Sequence, residues 1–223
     1  MKKALGAAFA ALLLGGVTAV APAGAQNRGA EPGKFDHYVL SLSWSPSYCA
    51  TEGASERSIQ CSRPYAFLVH GLWPQYVRGY PEFCRTRESD RVPDSLVRDY
   101  LDIIPSPGLI GHQWRKHGSC TGLDQRSYLD LSRDAWSRVK IPDEFVLPKA
   151  PIMISPRELE RRFISVNQGL TTGAIAVSCD RRYLREVRIC LSKDLEFTSC
   201  EDVDRKSCRL DHVLMPPVRP ARR

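Results

Sequence analysis

The chain has 223 residues, with 32 lysines and arginines against 25 acidic residues and a formal net charge of +7. Beyond the N-terminal run, no segment is apolar for long enough to cross a bilayer, which excludes a helical membrane protein. None of the eight cysteines forms a Cys-x-x-Cys pair, which argues against a zinc site, and the modest positive balance favours an anionic partner such as nucleic acid without identifying one.

Met1-Lys2-Lys3, the apolar run Ala4 to Val20 and the small residues Ala23-Gly24-Ala25 together read as a secretory signal peptide over 1–25. A single domain over 26–223 follows, long enough for its own core. Removing Lys2 and Lys3 leaves 30 basic against 25 acidic residues, a net charge of +5. The eight cysteines lie in this part, and their even number in an exported chain points to four disulfides. The expected location is therefore secreted or periplasmic.

From Gln26 to Lys34 the sequence is polar and is expected to be loose. Tyr38, Leu40, Leu42 and Trp44 alternate with smaller or polar residues, so a half-buried strand is expected up to Ser45-Pro46. Cys49 and Cys61 bracket a polar loop. Tyr65 to Val69 is a second strand, running into His70-Gly71-Leu72-Trp73-Pro74-Gln75, where glycine permits close approach and Trp-Pro predicts a turn. Tyr76 to Asp90 is expected to be irregular. Pro93-Asp94-Ser95 opens a helix whose stripe is Leu96, Val97, Tyr100, Leu101 and Ile104. Helices are also expected from Arg126 to Val139 and from Ser155, the latter with a Ser cap, Pro in the first turn and Glu158 three residues on. Ala174 to Cys179 and Tyr183 to Leu191 read as strands, and Val213 to Arg223 as a loose Pro- and Arg-rich basic tail. This order predicts an α+β fold: one domain with a central, mainly antiparallel sheet flanked by helices.

One segment concentrates chemically capable residues, Gly111-His112-Gln113-Trp114-Arg115-Lys116-His117-Gly118. On a helix, taking His112 as the origin, Lys116 falls at about 40°, Gln113 at about 100° and His117 at about 140°, with Trp114 pointing away. Two of the five histidines lie here, and a third, His70, ends a strand. His37 and His212 read as structural or surface residues.

Two stretches, Phe67-Leu68-Val69-His70-Gly71-Leu72-Trp73-Pro74 and His112-Gln113-Trp114-Arg115-Lys116-His117-Gly118, resemble the active-site segments of the ribonuclease T2 family. The first strand, Phe35 to Pro46, and the last four cysteines are similar too, so the likeness runs from about Phe35 to about Met215. The resemblance implies disulfides Cys49–Cys61, Cys84–Cys120, Cys179–Cys208 and Cys190–Cys200. It also implies an endoribonuclease that cleaves single-stranded RNA without a metal or other cofactor, as a monomer away from membranes, through 2′,3′-cyclic phosphate ends. His70 would be the acid and His117 the base, Lys116 would stabilise the transition state, and His112 would hold the phosphate. Gln113 belongs to the same catalytic group. Trp73 would offer a stacking wall for a base, with Gln75 at a base edge and Tyr76 and Tyr80 as weaker aromatic candidates. Histidines titrate near neutral pH, so a pair can serve both ends of an in-line displacement.

Gln113 departs from the family, which typically has glutamate there. Glutamine hydrogen-bonds but carries no charge, so it cannot raise the basicity of a histidine. An alternative follows: a catalytically weakened RNA-binding or toxin-like module of the same fold. A metallohydrolase built on His70, His112 and His117 fits poorly, because His112 and His117 are five apart rather than i,i+4 and Lys116 would repel a dication.

Overall fold

The computed structural model describes residues 27–55 and 58–220. The segment read as a signal peptide, 1–25, lies outside the described residues. In chain order run β1 (Asn27–Arg28), β2 (His37–Trp44), α1 (Ser45–Ala50), α2 (Ile59–Ser62), β3 (Phe67–Gln75), β4 (Pro81–Glu82), α3 (Asp94–Arg98) and α4 (Pro107–Lys116). Then come α5 (Gln125–Ser137), β5 (Ile152–Ile154), α6 (Pro156–Val166), β6 (Ile175–Cys179), β7 (Leu184–Leu191), α7 (Glu201–Asp204) and β8 (Val213–Met215). The architecture is the expected α+β one. Its centre is a four-stranded sheet in the order β3-β2-β7-β6, antiparallel throughout.

The alternation in β2 divides the sheet into two faces. Leu40 stands between Leu72 and Ile189, and Leu42 between Val69 and Val187, all buried. On this face Tyr128 of α5 donates its hydroxyl to the Leu72 carbonyl at 3.0 Å, and Phe163 of α6 packs edge-on against Phe67, which meets Trp44 in turn. Each such fully buried side chain contributes about 1.5–3 kcal/mol relative to exposure. On the opposite face β2 presents Val39, Ser41 and Ser43, β3 presents Gly71 and Trp73, and β7 presents Glu186, Arg188 and Cys190. Core lies on one face and chemistry on the other.

Three regions depart from expectation. First, β3 does not turn at Trp73-Pro74 but continues to Gln75. It is an edge strand in its sheet, where proline's missing N–H breaks no ladder bond. Its register steps from Ser41↔Gly71 to Leu42↔Val69, so His70 has no partner on β2 and sits in a β-bulge. Second, α3 stops at Arg98 rather than Ile104. Tyr100, Ile103 and Ile104 still enter the core, but Ile103 turns its carbonyl to the edge of β3 and accepts the Val69 N–H at 3.1 Å. Third, both ends of the domain are tied down. β1 pairs with β4, and the Gly33 N–H reaches the Cys120 carbonyl. β8 pairs with β5, Trp44 donates to the Pro216 carbonyl, and the Val218 N–H to that of Pro148. The tail is therefore attached through Val218.

The disulfides join Cys49–Cys61, Cys84–Cys120, Cys179–Cys208 and Cys190–Cys200, as the resemblance implied. Two frame the polar face: Cys84–Cys120 holds the chain just after His117 to the segment after β4, and Cys190–Cys200 ties β7 to the start of α7. Removing a native disulfide from an exported domain typically costs about 2–5 kcal/mol.

Candidate active site

Helix α4 begins as its sequence predicts. Ser106 caps it by accepting the Leu109 N–H at 3.2 Å, and Pro107 occupies the first turn. The shared polar face expected of it is split in the structure. Gln113 is buried beside Ile110 and Trp114, while His112 is exposed and Lys116 half-buried. His117 lies beyond the last helical turn, at φ −120°, where its N–H still reaches the Gln113 carbonyl at 2.9 Å. The helix yields there to a 3₁₀ turn, Gly118–Cys120. A Cβ on Gly118 would stand 2.5 Å from the Trp114 ring and 2.7 Å from Tyr128, so this exit needs glycine. His117 thereby turns inward and is buried.

The helix meets β3 over Gly71. A Cβ at that position would lie 2.0 Å from Oε1 of Gln113 and 2.5 Å from Nε1 of Trp73. The space the missing side chain leaves is filled by the Gln113 amide, which accepts the Trp73 indole N–H at 2.7 Å. Trp73 then separates two imidazoles. Its ring stacks on His117 at 5.3 Å and 29°, and meets His70 nearly edge-on at 5.4 Å and 79°. In the folded protein one partner of the Trp73 ring is thus the His117 imidazole.

His70, Trp73, Gln75, Tyr80, His112, Gln113, Lys116 and His117 all line one cavity of about 430 Å³, while Tyr76 packs against the hydrophobic core instead. Gln75 is buried there, its amide donating to the Pro74 carbonyl. A second cavity of about 530 Å³ lies on the other side of His70, bounded by Ser43, Tyr48, Gln60, Pro107 and Arg185. His70 is common to both.

The electrostatics of the two imidazoles differ. Burial pushes the His117 pKa well below 6.5, and the charges of Lys116, His112 and His70 push it the same way. His112 is lowered by desolvation, then by Lys116, Arg115 and His70. His117 is therefore neutral at pH 7, with a buried Nδ1 that has no hydrogen-bond partner among the described residues. His70 instead places Nδ1 2.5 Å from Oε1 of Glu186. Burial opposes the charge on Glu186, but the His70 bond and the charges of His70 and Arg188 outweigh it and hold the carboxyl down at about 2.

Sequence reasoning missed four cavity-side residues. Glu186 and Arg188 lie in the strand expected from Tyr183 to Leu191, where two charges spaced by two among apolar residues were the available signal. Glu82, buried on β4, places its carboxylate 3.7 Å from Nζ of Lys116, which also stands 5.7 Å over the Tyr80 ring. Asp202 of α7 lines the cavity rim, its carboxyl held at about 2 chiefly by the Lys206 ammonium. Among the described residues, the one group of three potential ligand atoms within 4.8 Å is His37 with Cys190 and Cys200, and those two sulfurs are bonded to each other.

With this geometry in hand, comparison with known proteins is specific. Residues 35–200 match the profile of the Ribonuclease T2 family. A ribonuclease of Aeromonas hydrophila is 34% identical over 209 residues, covering 85% of this chain and 89% of that protein. Among solved structures, an RNase-related protein from Calystegia sepium superposes with a TM-score of 0.65 at 19% identity, over 83% of this chain and 98% of that one. RNase NT in complex with 5′-AMP does so with a TM-score of 0.61 at 22% identity, over 82% and 99%. These likenesses bear on the fold, and the sequence matches on kinship: the chain belongs to the ribonuclease T2 family.

Proposed function

We propose that the protein is an exported endoribonuclease that cleaves single-stranded RNA by acid–base transphosphorylation. The observation that carries this reading is the pairing of unlike imidazoles in one cavity, a neutral buried His117 beside a lysine and a carboxylate-bound His70 on the far side of Trp73. His117 takes the 2′-hydroxyl proton, since a general base must be unprotonated at working pH. The 2′-oxygen attacks phosphorus, and His70 protonates the departing 5′-oxygen, leaving a 2′,3′-cyclic phosphate. Lys116 faces the charge that builds on the phosphorane, and His112, at the cavity mouth, holds the phosphate in the ground state. Gln113 acts through Trp73, keeping the indole between the two histidines.

The two cavities that meet at His70 give room to the nucleosides on either side of the scissile phosphate. Trp73, Tyr80 and Gln75 line the first, and the structure of RNase NT with 5′-AMP supports a nucleotide-binding role for this fold. No step in this scheme uses a metal, and Lys116 between the helix histidines disfavours a dication there. The signal-peptide pattern of residues 1–25 and the four disulfides support a secreted or periplasmic location, and the N-terminus of exported protein is expected at Gln26.

The test is incubation of the mature protein with RNA and with DNA of the same sequence. Cleavage of RNA alone, leaving cyclic phosphate ends and unaffected by EDTA, is expected. Absence of cleavage anywhere between about pH 4 and 8 would favour the weakened binding module instead.

A further inference from the structure

We propose that Glu186, oriented by Arg188, is the positioning residue of His70, fixing its tautomer and aiming Nε2 at the leaving oxygen. The proposal rests on the reading of His70 as the proton donor, and it concerns two residues of β7 that the sequence motifs do not contain.

Glu186 and His70 belong to strands separated by β2, so a side-chain contact between them has to pass over that strand. It passes because β2 presents small side chains at the crossing, Ser41 and Ser43: Glu186 is registered opposite Ser43 and Arg188 opposite Ser41. The bulge at His70 supplies the other half of the reach, since an extra residue re-aims a strand's side chains. The carboxylate then divides its oxygens. Nε and Nη2 of Arg188 both donate to Oε2, at 2.9 and 2.7 Å, which leaves Oε1 for Nδ1 of His70 at 2.5 Å. Arg188 is itself braced, with its guanidinium 5.5 Å over the Trp73 ring that stacks on His117. One arginine thus ties the partner of the first histidine to the wall that holds the second.

The chemistry follows from what a carboxylate can do. Ionised Glu186 only accepts hydrogen bonds, so Nδ1 must carry a proton in every state of His70. The exchangeable proton is therefore on Nε2, the nitrogen left for the cavity. When it passes to the 5′-oxygen, the ring is left as the neutral Nδ1–H tautomer, still bonded to Glu186, and no rotation is needed. The burial of Glu186, with a side chain only 12% exposed, keeps water from competing for Oε1.

Glu186→Gln tests this. Arg188 claims the one remaining amide oxygen, so the amide NH₂ faces Nδ1, and two N–H groups cannot bond each other. We expect kcat to fall about 10²-fold with KM for RNA changed by less than about threefold, as for a lost orienting partner. Glu186→Asp, which keeps the charge, is expected to recover part of kcat. ¹⁵N NMR of the wild-type imidazoles gives a readout independent of turnover: neutral His70 should be the Nδ1–H tautomer, moving towards Nε2–H in Glu186→Gln. An Nε2–H tautomer in the wild type, or Glu186→Gln with unchanged kcat, overturns the proposal. A variant that fails to fold leaves the wild-type spectrum to decide. If the wild type cleaves no RNA, the functional reading fails while the tautomer measurement still judges the Glu186 contact.

Discussion

The imidazoles on either side of Trp73 occupy opposite surroundings. His70 comes from a bulge in the sheet, is partly exposed, and rests on a buried carboxylate. His117 comes from the end of a helix, is buried, has an Nδ1 unpartnered among the described residues, and lies within the field of Lys116. The same side chain is thus given two characters by its neighbours. A carboxylate fixes the Nδ1 side of one ring, while desolvation and like charge lower the pKa of the other. An acid and a base at one pH require that asymmetry, and the fold builds it from a sheet on one side and a helix terminus on the other.

Removing either ring abolishes the asymmetry and has the largest expected effect. His70→Ala and His117→Ala are each expected to lower kcat on RNA by on the order of 10²–10⁴, and the double variant by little more than the worse single one, because the two act in one step. Rate measurements on a defined RNA under saturating conditions check this. Next comes Lys116→Met, expected to cost on the order of 10²-fold in kcat through lost transition-state charge stabilisation. It should also move the acid limb of the pH–rate curve to higher pH, because the Lys116 charge is one of the causes that depress His117. Loss of rate with an unmoved limb would separate Lys116 from the basicity of His117. Trp73→Phe keeps a ring between the imidazoles but removes the indole N–H from Gln113. A loss of about 1 kcal/mol, up to roughly tenfold in kcat, is expected.

The smallest effects shift the basicity of His117 while leaving both imidazoles in place. Gln113→Glu can still accept from Trp73 and adds a negative charge beside Lys116 and near His117, so the acid limb should shift to higher pH with a change of only a few-fold in maximal rate. In the wild type that limb should lie below pH 6.5, since His117 is depressed and the base stays neutral until the pH falls past its folded value. The same sign governs stability. The depressed His117 and His112 contribute fully above pH 6.5 and lose their contribution as the pH falls below it. Glu186, lowered from 4.5 to about 2, contributes above 4.5 and loses it as the pH falls towards 2. Thermal melts should therefore decline first through the histidine window and again at stronger acid.

Much of the scaffold was legible because it rests on local periodicity. Tyr38, Leu40, Leu42 and Trp44 alternate, and the strand runs His37–Trp44. Ser155, Pro156 and Glu158 predict a capped helix, and Ser155 accepts the Glu158 N–H at 3.1 Å. What local pattern missed was set by partners distant in sequence. Pro74 reads as a turn, yet it sits in a strand because that strand has a free edge. Val213 to Val218 reads as a tail, yet it pairs with β5 and receives the Trp44 N–H. The helical wheel of α4 put four polar residues on one face. It assumed the helix continued through His117, and it had no means of knowing that Gly71 leaves space for Gln113.

The sequence by itself determined the alternating strands, the capped helices, the cysteine complement and the grouping of histidines, lysine and glutamine, since these depend on residue type and short-range spacing. Only the tertiary structure decided which histidine is buried and which is paired. That turns on Glu186 and Arg188 lying 116 and 118 residues beyond His70 in the chain, on two serines low enough to reach across, and on the depth at which His117 leaves its helix. Desolvation and charge–charge interaction act through space, over a few ångströms that sequence separation does not measure.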